Sequence, residues 1–298
     1  MRRITDVPTI ARLDRASHKG DRGRVLLVAG SIGMSGAARL AGWGALRGGA
    51  GLVTIAAPEE AQPLIAQDLP CVMTIPLPSR KGAFAATGVN AARAAAADKD
   101  AIGIGPGMTR QVGPFLRRLL KDLAPPVVLD ADALNLLAEQ PDLLDAHHAP
   151  RVLTPHPGEA ARLLQRKIPG DMKGRLAAAE ELADKYRSVV VLKGAGTVVT
   201  DGDSYYINHT GNPGMACGGS GDVLTGLITA RLAWKMDPLK AAIQAVHVHG
   251  RAGDIAVTAV GEASMIATDL VANLPVAMTE LTAQPPRNVR RDGSRKRG

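Results

Sequence analysis

Continuous apolar runs rich in Val, Ile and Leu alternate with stretches of helical period along most of the chain, and this alternation limits the possible folds. Continuous runs are typical of strands in a sheet that is covered on both faces. The order strand, helix, strand therefore predicts an α/β fold, with a mostly parallel sheet between two layers of helices. The expected strands are Val25–Ala29, Leu52–Ala56, Cys71–Ile75, Ala101–Ile104, Val127–Asp130, Arg151–Leu153, Val189–Leu192, Thr197–Thr200 and Ser204–Ile207. The expected helices are Gly36–Arg47, Glu59–Gln67, Asn90–Ala97, Gln111–Lys121, Gly158–Gln165, Met172–Tyr186, Asp222–Trp234, Leu239–Val257 and Ser264–Asn273.

The length and the even patterning favour a single domain. Of the 298 residues, 46% are hydrophobic but only 2% are aromatic, so the core must be built from Ala, Val, Leu and Ile. The first 284 residues contain no internal repeat and no Pro- or Ser-rich linker, and one α/β domain can reach this size. We therefore expect one domain over residues 1–284 and a basic, disordered tail over residues 285–298.

The net charge of +8 is concentrated at the two ends of the chain. Residues 287–298 carry six basic side chains and one acidic, and residues 1–24 carry seven basic and three acidic, so the rest is nearly neutral. Few aromatic residues are available to stack on bases, and the charge distribution also argues against a nucleic-acid binder. We expect a solvated tail, with weak contact to a polyanion as the alternative.

The location of the protein is predicted from its apolar segments and its cysteines. The N-terminus is not followed by an apolar signal-like stretch, and no uncharged apolar run is long enough to span a membrane. Cys71 and Cys217 lie far apart, and neither has a CxxC neighbour. We expect a cytoplasmic protein without membrane contact.

Glycine-rich loops follow two of the first expected strands, at the sheet edge where parallel α/β proteins bind ligands. The loop Gly30–Ala38 spaces its glycines as GxxGxxG and lacks the downstream acidic residue of a dinucleotide-binding fingerprint. A tight turn with close helix packing explains these glycines as well as ligand contact does. The loop Gly103–Gly107 allows close approach of a ligand but is a weak signal alone. No GxxxxGK[ST] sequence occurs, which excludes a P-loop enzyme.

Polar side chains follow two later strands. Asp130 and Asp132 leave a buried strand, where they either cap the next helix or face the ligand crevice. His156 lies between two prolines at a strand end, a placement that favours a binding role over a structural one. Glu159 is either a first-turn acid favoured by the helix dipole or a residue that holds a water on nucleotide-bound magnesium.

The last two glycine loops suggest phosphate contacts. In Lys193–Thr197 a lysine beside flexible backbone suits a phosphate, although a plain glycine hairpin is the alternative. In Asn212–Gly226 several glycines precede an apolar helix, so backbone N–H groups and the positive helix end would form an anion hole. Asp222 beside such a hole would take a proton from a hydroxyl that attacks a phosphoryl group, with a simple N-cap as the alternative.

Taken together, these segments resemble the ribokinase-like superfamily and, more narrowly, the ADP-dependent NAD(P)H-hydrate dehydratases. The resemblance extends over roughly residues 17–275 and departs from the family at Cys217 and Ser220, where Thr is frequent. The matching segments are His18–Gly20 with Gly23, Gly36–Gly42, Leu46–Val53, Gly103–Gly107, Asp130–Asn135, Thr154–Glu159, Lys193–Thr197 and Asn212–Gly226.

This resemblance implies a three-layer α/β/α sandwich and an enzyme that repairs hydrated nicotinamide cofactors. The substrates would be NADH hydrate and NADPH hydrate, in which water has added across a ring double bond. ADP would phosphorylate the C6 hydroxyl, after which phosphate leaves and NAD(P)H is regenerated. The family also implies Mg²⁺ and a homotetramer.

The family's site residues transfer to this chain where its motifs match. Asp222 would be the catalytic base and would also contact the hydrated cofactor, together with Ala37, Ala38, Gly105, Gly107 and His156. The nucleotide would be bound by Lys193, Gly194, Ala195, Gly196, Thr197, Gly219, Ser220 and Gly221. Glu159 would hold magnesium through water.

The alternative function is an ATP-dependent small-molecule kinase of the same superfamily, of the hydroxyethylthiazole- or sugar-kinase type. His156 and the segment Asp130–Asn135 argue against it, because they match the dehydratase family.

Overall fold

A ten-stranded, mostly parallel sheet lies at the centre of the protein, whose computed structural model describes residues 1–67, 69–121 and 123–282. A separate hairpin of two short strands lies beside it. The strands are β1 (Arg2–Ile4), β2 (Arg24–Val28), β3 (Leu52–Pro58), β4 (Met73–Leu77), β5 (Ser79–Arg80), β6 (Ala83–Phe84), β7 (Ala101–Ile104), β8 (Val127–Leu129), β9 (Arg151–Leu153), β10 (Val189–Leu192), β11 (Val198–Thr200) and β12 (Ser204–Ile207). The helices are α1 (Ser35–Arg47), α2 (Gln62–Ala66), α3 (Val89–Ala96), α4 (Gly113–Leu120), α5 (Asp132–Glu139), α6 (Pro157–Leu164), α7 (Met172–Tyr186), α8 (Ser220–Ala233), α9 (Pro238–Val260) and α10 (Ala267–Leu281).

The strand order in the main sheet is β1-β12-β11-β10-β9-β8-β7-β2-β3-β4. The seven strands from β10 to β4 in this order pair in parallel. Strands β10, β11 and β12 pair antiparallel, which confirms the hairpin predicted after β11. The carboxyl ends of β2, β7, β8, β9 and β10 therefore meet at one edge of the sheet, where a ligand crevice is expected.

Alternate residues of each buried strand belong to two separate cores. Val25 and Leu27 pack with α1, α8, α9 and α10, whereas Leu26 and Val28 pack with α3 to α7 on the other face. Both faces of the sheet are thus covered, which is why the strands are apolar throughout. This arrangement confirms the predicted three-layer α/β/α architecture.

Close packing of α1 against α8 holds the start of α8 near the sheet. A Cβ atom on Gly226 would lie 1.9 Å from the carbonyl oxygen of Ala41, and one on Gly44 would lie 2.2 Å from that of Val223. Glycine at both positions allows the two helix backbones to approach directly. The position of the α8 N-terminus therefore depends on these contacts.

The main differences from the expected elements occur at their ends. The final helix begins at Ala267 and continues to Leu281, past Pro275, where the sequence pattern ended it at Asn273. Buried Leu274 and Ala277 pack on either side of this proline, and their burial offsets the lost backbone hydrogen bond. The sequence pattern set no bounds for α5, although a helix after Asp130 was considered, and it did not predict β1 or the hairpin of β5 and β6.

Two further expectations concern the whole chain. No helix in the part of the chain that the structure describes is long and apolar enough to cross a membrane. The tail expected over residues 285–298 lies outside the described residues.

Candidate active site

A cavity of about 860 Å³ opens at the carboxyl edge of the sheet. Its walls are the end of β8, the start of α6, the β10–β11 connection, the segment from β12 to α8, and one side of α9. Several of the predicted site residues therefore meet in one place. They are His156, Glu159, Lys193, Gly194, Ala195, Gly196, Thr197, Gly219, Ser220, Gly221 and Asp222.

The N-terminus of α8 points unpaired backbone donors into this cavity. Among the described residues, none accepts a hydrogen bond from the N–H of Gly221 or Asp222. Gly219, the N-cap, has a φ of +93°, and a Cβ atom there would lie 2.3 Å from a methyl carbon of Leu40. Free N–H groups at the positive end of a 14-residue helix make a site for an anion such as phosphate.

Asp222 lies in the first turn of α8 and lines the cavity. Burial, together with the negative charge of Asp130, raises its pKa to about 7, although the charge of Lys193 opposes this shift. A carboxylate with this pKa is well matched to accept a proton near neutral pH. Because the N-cap is Gly219 and no side chain caps the helix, the alternative interpretation of Asp222 as an N-cap is wrong.

A buried ion pair supports the floor of the cavity. Lys193 Nζ lies 2.8 Å from Asp130 Oδ1, and Thr225 Oγ1 donates to Asp130 Oδ2 at 2.6 Å. Burial would raise the pKa of Asp130, but Lys193 and Thr225 hold it below its usual value. A Cβ atom on Gly221 would lie 3.3 Å from Lys193 Nζ, so the ammonium group lies directly against the anion site.

Burial alone would lower the pKa of Lys193, but the charges of Asp130 and Glu159 raise it above its usual value. Lys193 is therefore a permanent cation at neutral pH. From the sequence, Asp130 was expected either to cap a helix or to face the crevice. In the structure it lines the crevice and pairs with Lys193. Sequence alone does not show that these two residues, 63 positions apart, form a pair.

His156 and Glu159 form a reciprocal cap at the start of α6. His156 Nδ1 accepts from the N–H groups of Gly158 and Glu159 at 3.0 and 3.4 Å, and Glu159 Oε2 accepts from the His156 N–H at 2.9 Å. With Nδ1 accepting, the proton of the neutral ring is on Nε2, which lies 3.5 Å from Glu159 Oε1. Burial, with the charge of Lys193, lowers the pKa of His156, so the ring is neutral at pH 7.

Glu159 is a buried carboxylate at the same cavity. Burial raises its pKa, partly offset by the charge of Lys193. The described residues contain no group of three or more His, Cys, Asp or Glu side chains arranged to hold a metal ion. A single carboxylate fits Mg²⁺ that is bound mainly by nucleotide phosphates and water, because Mg²⁺ prefers oxygen ligands and keeps several waters.

Side-chain hydrogen bonds hold the connection between β10 and β11 in place. Thr197 Oγ1 donates to the carbonyl oxygen of Gly194 at 2.9 Å, and the buried Arg175 donates to the carbonyl oxygens of Leu192 and Ala195. The segment is a connection between antiparallel strands, as the hairpin alternative stated, and it also forms a wall of the cavity. Both interpretations of Lys193–Thr197 are therefore compatible with the structure.

The residues predicted to bind the hydrated cofactor lie at the neighbouring strand ends, outside the cavity lining except for His156 and Asp222. Gly107 lies next to Ala37, since a Cβ atom on it would lie 3.1 Å from the Ala37 Cβ. Gly105 has a φ of +127° and lies against the carbonyl oxygen of Asp130. Ala38, Gly105 and Gly107 are buried and Ala37 is partly exposed, so Ala37 is the residue among these four that a ligand can reach.

Two parts of the cavity wall were not predicted as binding residues. One is the segment from Asn208 to Gly211, and the other is the face of α9 that contains Val246, His249 and Gly250. The first segment directly precedes the glycine-rich loop, which is its only signal in the sequence. The second belongs to a helix whose apolar pattern resembles that of any core helix.

Comparisons with known proteins identify the family of the chain. The family model described as NAD(P)H-hydrate dehydratase matches residues 25–276. A bifunctional NAD(P)H-hydrate repair enzyme Nnr from Moorella thermoacetica is 43% identical over 278 residues, which is 91% of this chain and 52% of that enzyme. The Nnr of Escherichia coli K12 is 40% identical over 260 residues, 87% of this chain and 48% of that enzyme. The chain thus spans about half the length of the curated relatives it matches.

Solved structures show the same fold. The ADP/ATP-dependent NAD(P)H-hydrate dehydratase of Bacillus subtilis, co-crystallised with ATP and Mg²⁺, superposes with a TM-score of 0.78 at 34% identity, covering 93% of this chain and 100% of that one. A ribokinase-like superfamily protein of Enterococcus faecalis gives a TM-score of 0.78 at 25% identity, covering 93% of each chain. On these similarities, the chain belongs to the NAD(P)H-hydrate dehydratase family and has the ribokinase-like fold.

Proposed function

We propose that this protein dehydrates the hydrates of NADH and NADPH at the expense of ADP. The observation that carries the proposal is the position of Asp222, whose pKa is raised to about 7, in the first turn of α8 beside the unpaired N–H groups of that helix. A base and an anion site in contact are what the transfer of a phosphoryl group to a hydroxyl requires. The family membership supports the choice of substrate.

In the first step, Asp222 takes the proton from the C6 hydroxyl of the hydrated ring. The C6 oxygen attacks the terminal phosphorus of ADP, the bond to the bridging oxygen breaks, and AMP leaves. Negative charge on the transferring group is stabilised by the backbone N–H groups of Gly219 and Gly221 and by the positive end of α8, which begins at Ser220. The Lys193 ammonium, held against this site by Asp130, stabilises the same charge.

In the second step, the C6–O bond breaks and inorganic phosphate leaves with the oxygen. Loss of the proton from C5 restores the ring double bond, and NADH or NADPH is released. The chain needs no further redox group for this step, because the overall reaction removes water and splits ADP into AMP and phosphate.

The two substrates occupy neighbouring parts of the edge of the sheet. The segment Lys193–Thr197 would hold the AMP portion of the nucleotide, which is supported by its position along one wall of the cavity. Ala37 would contact the hydrated cofactor at the adjacent strand ends, where the buried Gly105 and Gly107 would allow the backbone segments to pack closely. His156 lines the cavity, and its Nε2–H, 3.5 Å from Glu159 Oε1, would donate to an oxygen of the ligand.

Glu159 would hold Mg²⁺ through water while the phosphates of the nucleotide supply the direct ligands. The bound ion would neutralise phosphate charge and orient the terminal phosphate. Glu159 itself is fixed by its hydrogen bond from the backbone of His156, so the carboxylate has one orientation relative to the cavity.

The resemblance is also the support for the remaining parts of the proposal. We infer one domain over residues 1–284, a homotetramer, and a cytoplasmic location, as expected for a family that repairs soluble cofactors.

The test is to add NADH hydrate and ADP to the purified protein and to follow the recovery of NADH absorbance while AMP and phosphate are quantified. One AMP and one phosphate should form for each NADH. Parallel reactions with ATP, with hydroxyethylthiazole and with sugars test the kinase alternative. A stable phosphorylated product from one of those acceptors, without NADH recovery from the hydrate, would refute the dehydratase assignment.

A further inference from the structure

Helix α9 places a buried histidine against the first residue of α8. His249 Nε2 lies 3.0 Å from the carbonyl oxygen of Ser220 and 3.5 Å from the Ser220 hydroxyl oxygen. His249 is 7% exposed and Ser220 is 9% exposed, and both line the cavity. The contact joins two helices at the point where the anion site begins.

The Ser220 carbonyl determines the tautomer of this histidine. A carbonyl oxygen can only accept a hydrogen bond, so His249 Nε2 carries a proton and donates it. Burial, reinforced by the charge of Lys193, lowers the pKa of His249 to about 4. The ring is therefore a neutral donor near neutral pH, and its bond to Ser220 does not titrate there.

The carbonyl of Ser220 and the N–H of Gly221 belong to one planar peptide group. A hydrogen bond that holds the carbonyl oxygen therefore also sets the direction of the N–H, which has no acceptor among the described residues. We propose that His249 is a positioning residue, which orients the Gly221 N–H toward the terminal phosphate of the bound nucleotide. The inference rests on the proposed function, since that function places the phosphate at α8.

His249 acts through Ser220 and does not touch the reacting atoms. Its loss should therefore reduce recognition of the terminal phosphate and leave the rest of the nucleotide site unchanged. ADP and AMP separate these two contributions, because AMP lacks the phosphate that the α8 N-terminus would hold. The ratio of their dissociation constants therefore measures how much the anion site contributes to nucleotide binding.

The experiment measures binding of ADP and AMP by isothermal titration calorimetry, in buffer with Mg²⁺, for the wild type and three variants. In His249→Gln the amide nitrogen is the same number of bonds from the backbone as Nε2, so the donor is kept. His249→Met keeps volume without a donor, and His249→Asn keeps a donor that stops short of Ser220. We expect the wild type and His249→Gln to prefer ADP equally.

In His249→Met and His249→Asn the preference for ADP should fall by about tenfold while AMP affinity stays the same, as for loss of a hydrogen bond to a charged group. The matched control is His247→Met on the same helix, because His247 lies outside the cavity lining and is only partly buried. It should bind both nucleotides as the wild type does. Thermal melts establish that each protein is folded.

Equal loss of affinity for both nucleotides in His249→Met and His249→Asn, or no loss for either, would overturn the positioning role. A wild type that binds ADP no more tightly than AMP would also overturn it, because no terminal-phosphate site would exist. The hydrate assay runs in parallel. If the wild type recovers no NADH but the ADP preference still falls in His249→Met, the proposed function fails and the role of His249 stands.

Discussion

At the scale of single residues, Asp222 is the side chain on which the proposed chemistry depends. It lies in the first turn of α8 without capping the helix, and burial, together with the charge of Asp130, raises its pKa to about 7. Asp222→Asn keeps the size of the side chain and removes the base. We expect turnover to fall by roughly 10²- to 10⁴-fold, with ADP affinity unchanged or higher because a negative charge beside the phosphates is lost.

Turnover, ADP binding and thermal melts on the same preparation test this expectation. Asp237→Asn is the matched control. Asp237 is the N-cap of α9, where its side chain accepts from the Lys240 N–H, and it lies outside the cavity lining. Normal turnover in Asp222→Asn, together with a lower melting temperature, would show a structural carboxylate and would remove the base from the mechanism.

The raised pKa of Asp222 also predicts how rate and stability depend on pH. Only the ionised carboxylate accepts a proton, so the turnover number should rise with pH through an apparent pKa near 7. The folded protein binds this proton more tightly than the unfolded chain, whose carboxyl has a pKa near 3.8. The stabilising contribution is therefore complete below about pH 4 and is lost as pH rises to about 7.

Rate profiles and thermal melts between pH 4 and pH 8, on the wild type and Asp222→Asn, check both parts. The melting temperature of the wild type relative to Asp222→Asn should decrease across this range. Asp130→Asn removes a negative charge that raises the pKa of Asp222, so it should move the rate profile to lower pH. A profile that stays in place would mean that Asp130 does not act on Asp222.

The site residues that could be predicted from the sequence are those that belong to a short contiguous motif. Asp222 and the glycines before it are contiguous, so their chemistry could be inferred before any fold was known. The pair of Asp130 with Lys193 and the contact of His249 with Ser220 join residues 63 and 29 positions apart. Such contacts depend on which strands and helices become neighbours, and no local pattern contains that information.

At the scale of elements, the contact between α1 and α8 determines where the anion site lies. Gly226→Ala would place a methyl group 1.9 Å from the backbone oxygen of Ala41, and backbone atoms cannot move aside as a flexible side chain can. We expect a loss of about 1–3 kcal/mol in the free energy of unfolding. Turnover should fall as well, because α8 must shift along with its N-terminus.

Denaturant unfolding and the hydrate assay measure the two effects. Gly36→Ala in α1 is the matched control, because no atom lies within 4 Å of the added methyl group. It should be neutral, or more stable by up to about 0.5 kcal/mol. If Gly226→Ala were as stable and as active as Gly36→Ala, the α1–α8 contact would not position the site.

Elements with strong internal patterns were predicted closely, and those that depend on tertiary packing were not. The continuous apolar strands β7, β9 and β10 have the predicted bounds, as does α7. Helix α10 continues through Pro275, although proline disfavours the interior of a helix. Burial of the apolar face of α10 against the other helices stabilises this continuation. The short edge strand β1 has no apolar run, and it pairs in parallel with β12 at the end of the sheet.

At the scale of the whole molecule, the last prediction concerns the basic tail. The family match ends at residue 276, and the last helix of the described chain ends at Leu281. All the residues proposed to act at the site lie between Ala37 and His249. Removing residues 285–298 should therefore leave turnover, KM and the melting temperature within about twofold and about 2 °C of the full chain, as expected for a solvated segment.

The truncation also removes six basic side chains and one acidic one, so the protein should elute earlier from a cation-exchange column. Binding to a polyanion such as heparin, measured for both proteins over a range of salt concentrations, tests the alternative role of the tail. Loss of activity in a truncated protein that still melts cooperatively would place the tail in the catalytic cycle. Heparin binding that persists unchanged without the tail would place the positive surface on residues 1–24 and the body of the fold instead.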